Sequence, residues 1–170
     1  MKRGSSPYPQ LAPIAGHVEG DAAPTIAVLV YRGVSSGEVD EPVRRLASRM
    51  KASVALVGPT TGPVHAVEPS RLIEVGYTPD TAPPVDVLVV PGGLGWKQVA
   101  ADDATMAWLR DAADSARGVL AISTGSLLLA SVGRLTGRTA TGHWLAEHDL
   151  ADLGAIVSST RTASDDSGRL

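Results

Sequence analysis

Three short, almost continuously apolar runs constrain this chain more than any other feature. They are "TIAVLVY" (Thr25 to Tyr31), "VDVLVV" (Val85 to Val90) and "VLAI" (Val119 to Ile122). A strand with one face in water alternates apolar and polar residues, whereas a strand covered on both faces reads as continuously apolar, as in a parallel sheet. After the first run, turn residues lead to Asp40 as a helix N-cap, with Pro42 in the first turn and Val43, Leu46 and Met50 at helical spacing. "SVALVG" (Ser53 to Gly58) is a further strand, and the segment around Pro69 predicts a short hairpin or a looser crossover. A helix from about Ala104 to Ser115 carries Met106, Leu109 and Ala113 on one face, with Trp108 as a structural residue. The apolar segment Ser126 to Val132 predicts another helix, and "AEHDLADLGAIVSST" a short helix, a stop at Gly154 and a last strand. Strands alternating with helices give an α/β fold, a doubly wound, mostly parallel sheet with helices on both faces, whose ligand sites lie outside the carboxyl ends of the strands.

At 170 residues the chain has room for one domain with a sizeable core, expected over residues 25–170 behind a mobile tail at 1–24. Apolar residues make up 44% and charged residues 19%, which excludes disorder, and no unbroken apolar run is long enough for a membrane span. The net charge of -3 provides no cationic field for phosphates, so neither nucleic acid nor membrane is an expected partner, and a small-molecule substrate is. The "MKRG" start is followed by prolines and glycines rather than an apolar leader core, so a cytoplasmic location is expected. Cysteine is absent, which removes disulfides, zinc-thiolate sites and thiol nucleophiles. His143 and His148 are five residues apart, a poor helical ligand geometry, and no metal site is expected.

The most informative corner is "AISTGSLLL", where a buried strand stops at Ser123-Thr124-Gly125 and resumes as a helix. A sharp strand-to-helix turn projects its corner residue above the sheet, with the following backbone N–H groups aimed from the helix N-terminus at whatever sits there. Ala121 stands where the first glycine of G-x-S-x-G would be, which weakens a hydrolase reading. "PGGLGW" matches neither a dinucleotide nor a P-loop pattern, so no nucleotide cofactor is expected.

"VLVVPGG" (Val87 to Gly93), "AISTGSLLLASVGRLTGRTATGHW" (Ala121 to Trp144) and, more loosely, "YRGVSSGEVDEP" (Tyr31 to Pro42) resemble the ThiJ/PfpI superfamily, the class I glutamine amidotransferase-like fold, in its isonitrile hydratase-like branch. The resemblance implies a flavodoxin-like sandwich, usually a homodimer, with a cysteine at the elbow and an acidic residue from the loop after the first strand bonded to it. Gly92 and Gly93 match a loop that donates backbone N–H groups to the pocket, and His143 a histidine near the elbow. The family continues past Gly154 with a further strand and a long helix, so the domain is expected to lack that C-terminal strand and helix.

Two residues set the chemistry. Ser123 holds serine where the family has cysteine, and Glu38 stands at the position of the family acid. A serine hydroxyl needs a base in contact, unlike a thiol that is partly ionised near neutral pH. Three explanations stay open: a serine engineered in place of cysteine, a protein that binds without catalysis, or chemistry passed to Glu38. The third is preferred, because a buried carboxylate beside neutral donors can work as a general acid or base. The expected catalytic set is Glu38, Ser123 and His143, with Gly92, Gly93, Trp96, Thr124, Gly125 and Trp144 around the substrate. The expected activity is a cofactor-independent hydratase, lyase, cyclase or isomerase, at home in specialised-metabolite biosynthesis. The alternatives are a ligand-binding or regulatory domain and a Ser123 hydrolase.

Overall fold

The computed structural model describes residues 23–164, and the tail expected over residues 1–24 lies almost wholly outside them. Strand β1 (Thr25–Leu29) leads into helix α1 (Ser36–Met50), then β2 (Ser53–Val57) and a hairpin of β3 (Gly62–Ala66) and β4 (Arg71–Val75). Next come β5 (Val87–Val90), α2 (Trp96–Ala100), α3 (Asp103–Ser115), β6 (Gly118–Ala121) and α4 (Gly125–Ser131). The chain continues through β7 (Thr139–Ala140), a 3-10 turn at Trp144–Ala146, α5 (Glu147–Asp152) and β8 (Ile156–Val157).

The central sheet has four parallel strands in the order β2-β1-β5-β6. Ile26, Ala27, Val28, Leu29 and Val30 are all fully inaccessible. Successive strand residues point to opposite faces, so this run places layers of chain on both sides of the sheet. The α/β fold read from the apolar runs is the fold observed. The chain leaves β1 toward β2 and returns on the other side to β5, which opens a crevice between β1 and β5 at their carboxyl ends.

Helix α1 begins earlier than expected. Its N-cap is Ser35 rather than Asp40, and Ser35 makes no side-chain capping bond. The hairpin caps the helix instead: Ser36 N–H donates to the Val67 carbonyl at 2.7 Å, Gly37 N–H to the Glu68 carbonyl at 3.3 Å, and Ser36 Oγ to the Pro69 carbonyl at 2.7 Å. Asp40 lies inside the helix, paired with Arg71 of β4, and Pro42 falls in the second turn rather than the first. The buried stripe therefore runs through Ser36, Val39 and Val43. Met50, expected on that stripe, is 36% exposed at the end of the helix.

The segment around Pro69 is a true antiparallel hairpin, with Gly62 opposite Val75 and Ala66 opposite Arg71. In α3, Leu109 is buried and Met106, Trp108 and Ala113 pack partly buried against the core. The strand after Gly154 does not join the main sheet; it pairs with β7 as a separate two-stranded ribbon. Among the described residues no helix is long and apolar enough to cross a membrane.

Candidate functional site

Three chain segments meet at the crevice. The first is the start of α1, which carries Glu38 in its first turn, and so on the helix rather than in the preceding loop. The second is the loop after β5, tied to the first by Ser35 N–H donating to the Gly92 carbonyl at 2.8 Å. The third is the elbow after β6, held by Ile122 N–H on the Val90 carbonyl at 3.0 Å.

The sharp strand-to-helix turn read at Ser123-Thr124-Gly125 is present, and its corner is strained. Ser123 has φ of 53°, the left-handed region that costs an L-residue about 1–2 kcal/mol. Helix α4 starts directly afterwards, and a Cβ on Gly125 would sit 2.0 Å from the Val90 carbonyl oxygen. Only glycine lets the helix come this close to β5, and that approach sets Ser123 above the sheet. Gly125 therefore shapes the site from behind rather than touching the cavity.

Glu38 is half-buried, and its Oε2 accepts the Gly92 N–H at 2.6 Å. Burial pushes its carboxyl above the ordinary value, and the nearby charge of Glu68 pushes the same way. The Gly92 N–H, the charge of His143 and the Ser123 hydroxyl act in the opposite direction without cancelling the rise. Tyr31 lies beneath, buried, its hydroxyl donating to the Pro91 carbonyl at 2.9 Å. Burial first and the Glu38 charge second push the Tyr31 phenol well above its usual range, so it stays neutral.

The loop glycines differ from expectation. The Gly92 N–H is given to Glu38, and the Gly93 N–H is given to Thr124 Oγ1 at 2.9 Å. Both donors hold the site together rather than facing a ligand. A Cβ on Gly92 would lie 2.7 Å from Thr124 Oγ1 and 3.0 Å from Glu38 Oε2, so a side chain there would push the two apart.

A cavity of about 350 Å³ opens over this constellation. Glu38, Ser123, Thr124, Gly93, Trp96 and His143 all line it. Leu94, Leu127, Leu145 and Ala146 give it apolar wall, and Glu68, Lys97 and Asp149 add charge. His143 is exposed, and its Nδ1 accepts the Leu145 N–H at 3.3 Å, which leaves the proton of a neutral ring on Nε2. Trp144, expected beside the substrate, is 70% exposed and stands outside this cavity, its ring 5.7 Å from that of His143. A larger cavity of about 530 Å³ runs along β6 and shares Ser123 and His143, but Glu38 does not line it. Sequence reasoning missed Tyr31, Glu68, Lys97 and Asp149. For Glu68 the only available signal was its place before Pro69 in a hairpin whose register no local pattern fixes.

Fold and site together define a parallel α/β protein with a strained elbow and a half-buried carboxylate at the point where the strand order reverses. The chain belongs to the DJ-1/PfpI family, whose sequence model matches residues 24–167. It is 36% identical over 141 residues to the isonitrile hydratase of Pseudomonas putida, a match that covers 82% of this chain and 61% of that protein. A 68-residue stretch, 40% of this chain, is 35% identical to an HTH-type transcriptional regulator of Mycobacterium tuberculosis, of which it spans 25%. Among solved structures, a ThiJ/PfpI family protein from Pseudomonas syringae superposes with a TM-score of 0.79 at 31% identity, over 92% of this chain and 68% of that one.

Proposed function

We propose that the chain is a hydratase-type enzyme acting on a small organic molecule, with Glu38 as the general base and no cofactor in the reaction. The observation that carries this reading is the Glu38 carboxyl itself, fixed by the Gly92 N–H at 2.6 Å on the wall of a cavity that also holds Ser123 and His143. A carboxylate with a raised pKa is a stronger base than an exposed one, and it is still ionised on the alkaline side of that pKa. In the addition of water to a polarised multiple bond, Glu38 takes a proton from water as the water oxygen bonds to the electrophilic carbon. The same proton then returns from Glu38 to the substrate, in an isonitrile to the same terminal carbon, and the resulting formimidic acid moves its hydroxyl proton to nitrogen, so the net change is one water added. His143 Nε2–H donates a hydrogen bond without giving up its proton. Ser123 and Thr124 supply hydroxyls that orient the substrate.

The similarity to isonitrile hydratase supports an isonitrile as the first substrate to test. The experiment follows conversion of a small alkyl isonitrile to its N-substituted formamide by proton NMR across pH 4–9. With Glu38 as base, kcat/KM rises as pH climbs through the raised carboxyl pKa and then levels. A rate that falls over that interval, or no turnover, overturns the reading.

The matched stretch in a transcriptional regulator favours one alternative, a domain that binds a small ligand without converting it. Loss of the thiol is compatible with it. Saturable binding of the isonitrile without any formamide would establish that reading over the enzyme.

A further inference from the structure

We infer that Glu68 and Asp149 make the Glu38 cavity an acidic gate, admitting uncharged or cationic small molecules and rejecting carboxylates and phosphates. The inference rests on the assignment of this cavity as the substrate site. Two unrelated elements deliver the charges: Glu68 from the turn between β3 and β4, and Asp149 from the first turn of α5. Both line the cavity with Glu38, against a single ammonium, Lys97, and no arginine. Lys97 Nζ sits 5.4 Å from the centre of the Trp96 ring, so that charge is directed at an aromatic face. Among the described residues neither Glu68 nor Asp149 takes part in an ion pair.

The backbone tells the same way. An anion in such a crevice is held by free N–H groups of a glycine loop or a helix N-terminus. Here the Gly92 N–H is taken by Glu38 and the Gly93 N–H by Thr124. The first N–H groups of α1 are taken by the Val67 and Glu68 carbonyls. These loop and α1 donors are spent inside the protein, which leaves the elbow N–H groups of Ser123 and Thr124 against the carboxylates, while Leu94, Trp96 and Leu127 offer apolar wall. A molecule with an apolar body and a neutral or positive polar end meets both conditions.

Three probes of one shape test this: benzylamine, benzyl alcohol and benzoate, titrated by NMR against the Trp96 indole signal, assigned with Trp96→Phe. In about 20 mM salt, where screening is weak, benzylammonium should bind at least tenfold more tightly than benzoate, with benzyl alcohol between. Glu68→Gln and Asp149→Asn should each narrow that ratio about threefold to fivefold, as expected for one charge a few ångströms away in a water-like medium. About 300 mM salt should narrow it in the wild type without either substitution. Equal binding of all three probes, or a ratio unmoved by both substitutions, overturns the gate and leaves the cavity assignment standing. Perturbation of Trp96 by none of them overturns the cavity assignment and the gate with it.

Discussion

Glu38 has a structural role and a titration role, and two substitutions separate them. Glu38→Ala removes the acceptor of the Gly92 N–H, a buried backbone donor whose bond to Oε2 is 2.6 Å long. An orphaned buried N–H costs about 1–3 kcal/mol, and each kcal/mol lowers Tm by about 2–4 °C in a domain of this size. Glu38→Gln keeps an amide oxygen at the same place, so it should be the milder change. The titration role appears in the pH dependence. Burial raises the carboxyl pKa above its ordinary value of 4.5, so the folded state holds the proton more tightly than the unfolded chain. Folding is favoured where Glu38 is protonated, and stability falls as pH rises from the unfolded pKa through the folded one. Gln carries no such charge. Urea unfolding at intervals from pH 4 to pH 8 should show the glutamine variant gaining on the wild type over that window and keeping the gain above it. Parallel curves for the two, or a loss in Glu38→Ala no larger than in Glu38→Gln, would refute the placement of this carboxyl.

Gly125→Ala would press a methyl group onto the Val90 carbonyl oxygen, 2.0 Å from the Cβ position, and should destabilise the protein by about 3 kcal/mol or more in urea unfolding. Ser123→Gly relieves a residue at φ of 53° and should leave Tm unchanged or raise it, the gain from relieved strain, about 1 kcal/mol, being offset by glycine's greater chain entropy. If Ser123 only positions the substrate, as proposed, incubation with an activated ester should leave intact mass unchanged; a stable adduct mapped to Ser123 would restore the nucleophile reading.

The fold was legible because its signal is local. Continuous apolar runs at Thr25–Leu29 and Val87–Val90 have few places to go except the middle of a parallel sheet. The elbow was legible for a related reason: Gly125, two residues past Ser123, marks a place where a helix must start against a strand. The start of α1 was not, since the carbonyls that cap it belong to Val67 and Glu68, about thirty residues away, and Asp40 is drawn to Arg71 on the same hairpin. Glu68 was hidden with it. A hairpin turn looks like any other turn until its register is known, and here that register delivers a second carboxylate to the cavity. Trp144 shows the converse: its nearness to the elbow motif in sequence does not bring it into the cavity, because the His143 that precedes it faces the site instead.

The central claim is that Glu38, and not Ser123, carries the chemistry, and the direct test is turnover of the two variants side by side under identical isonitrile concentrations at the pH of maximal wild-type rate. A positioned general base contributes about 10²–10⁴-fold, so Glu38→Gln should lose at least a hundredfold in kcat, while Ser123→Ala keeps the rate within about tenfold. A dead Ser123→Ala beside an active Glu38→Gln would contradict the account and return the reaction to the elbow hydroxyl.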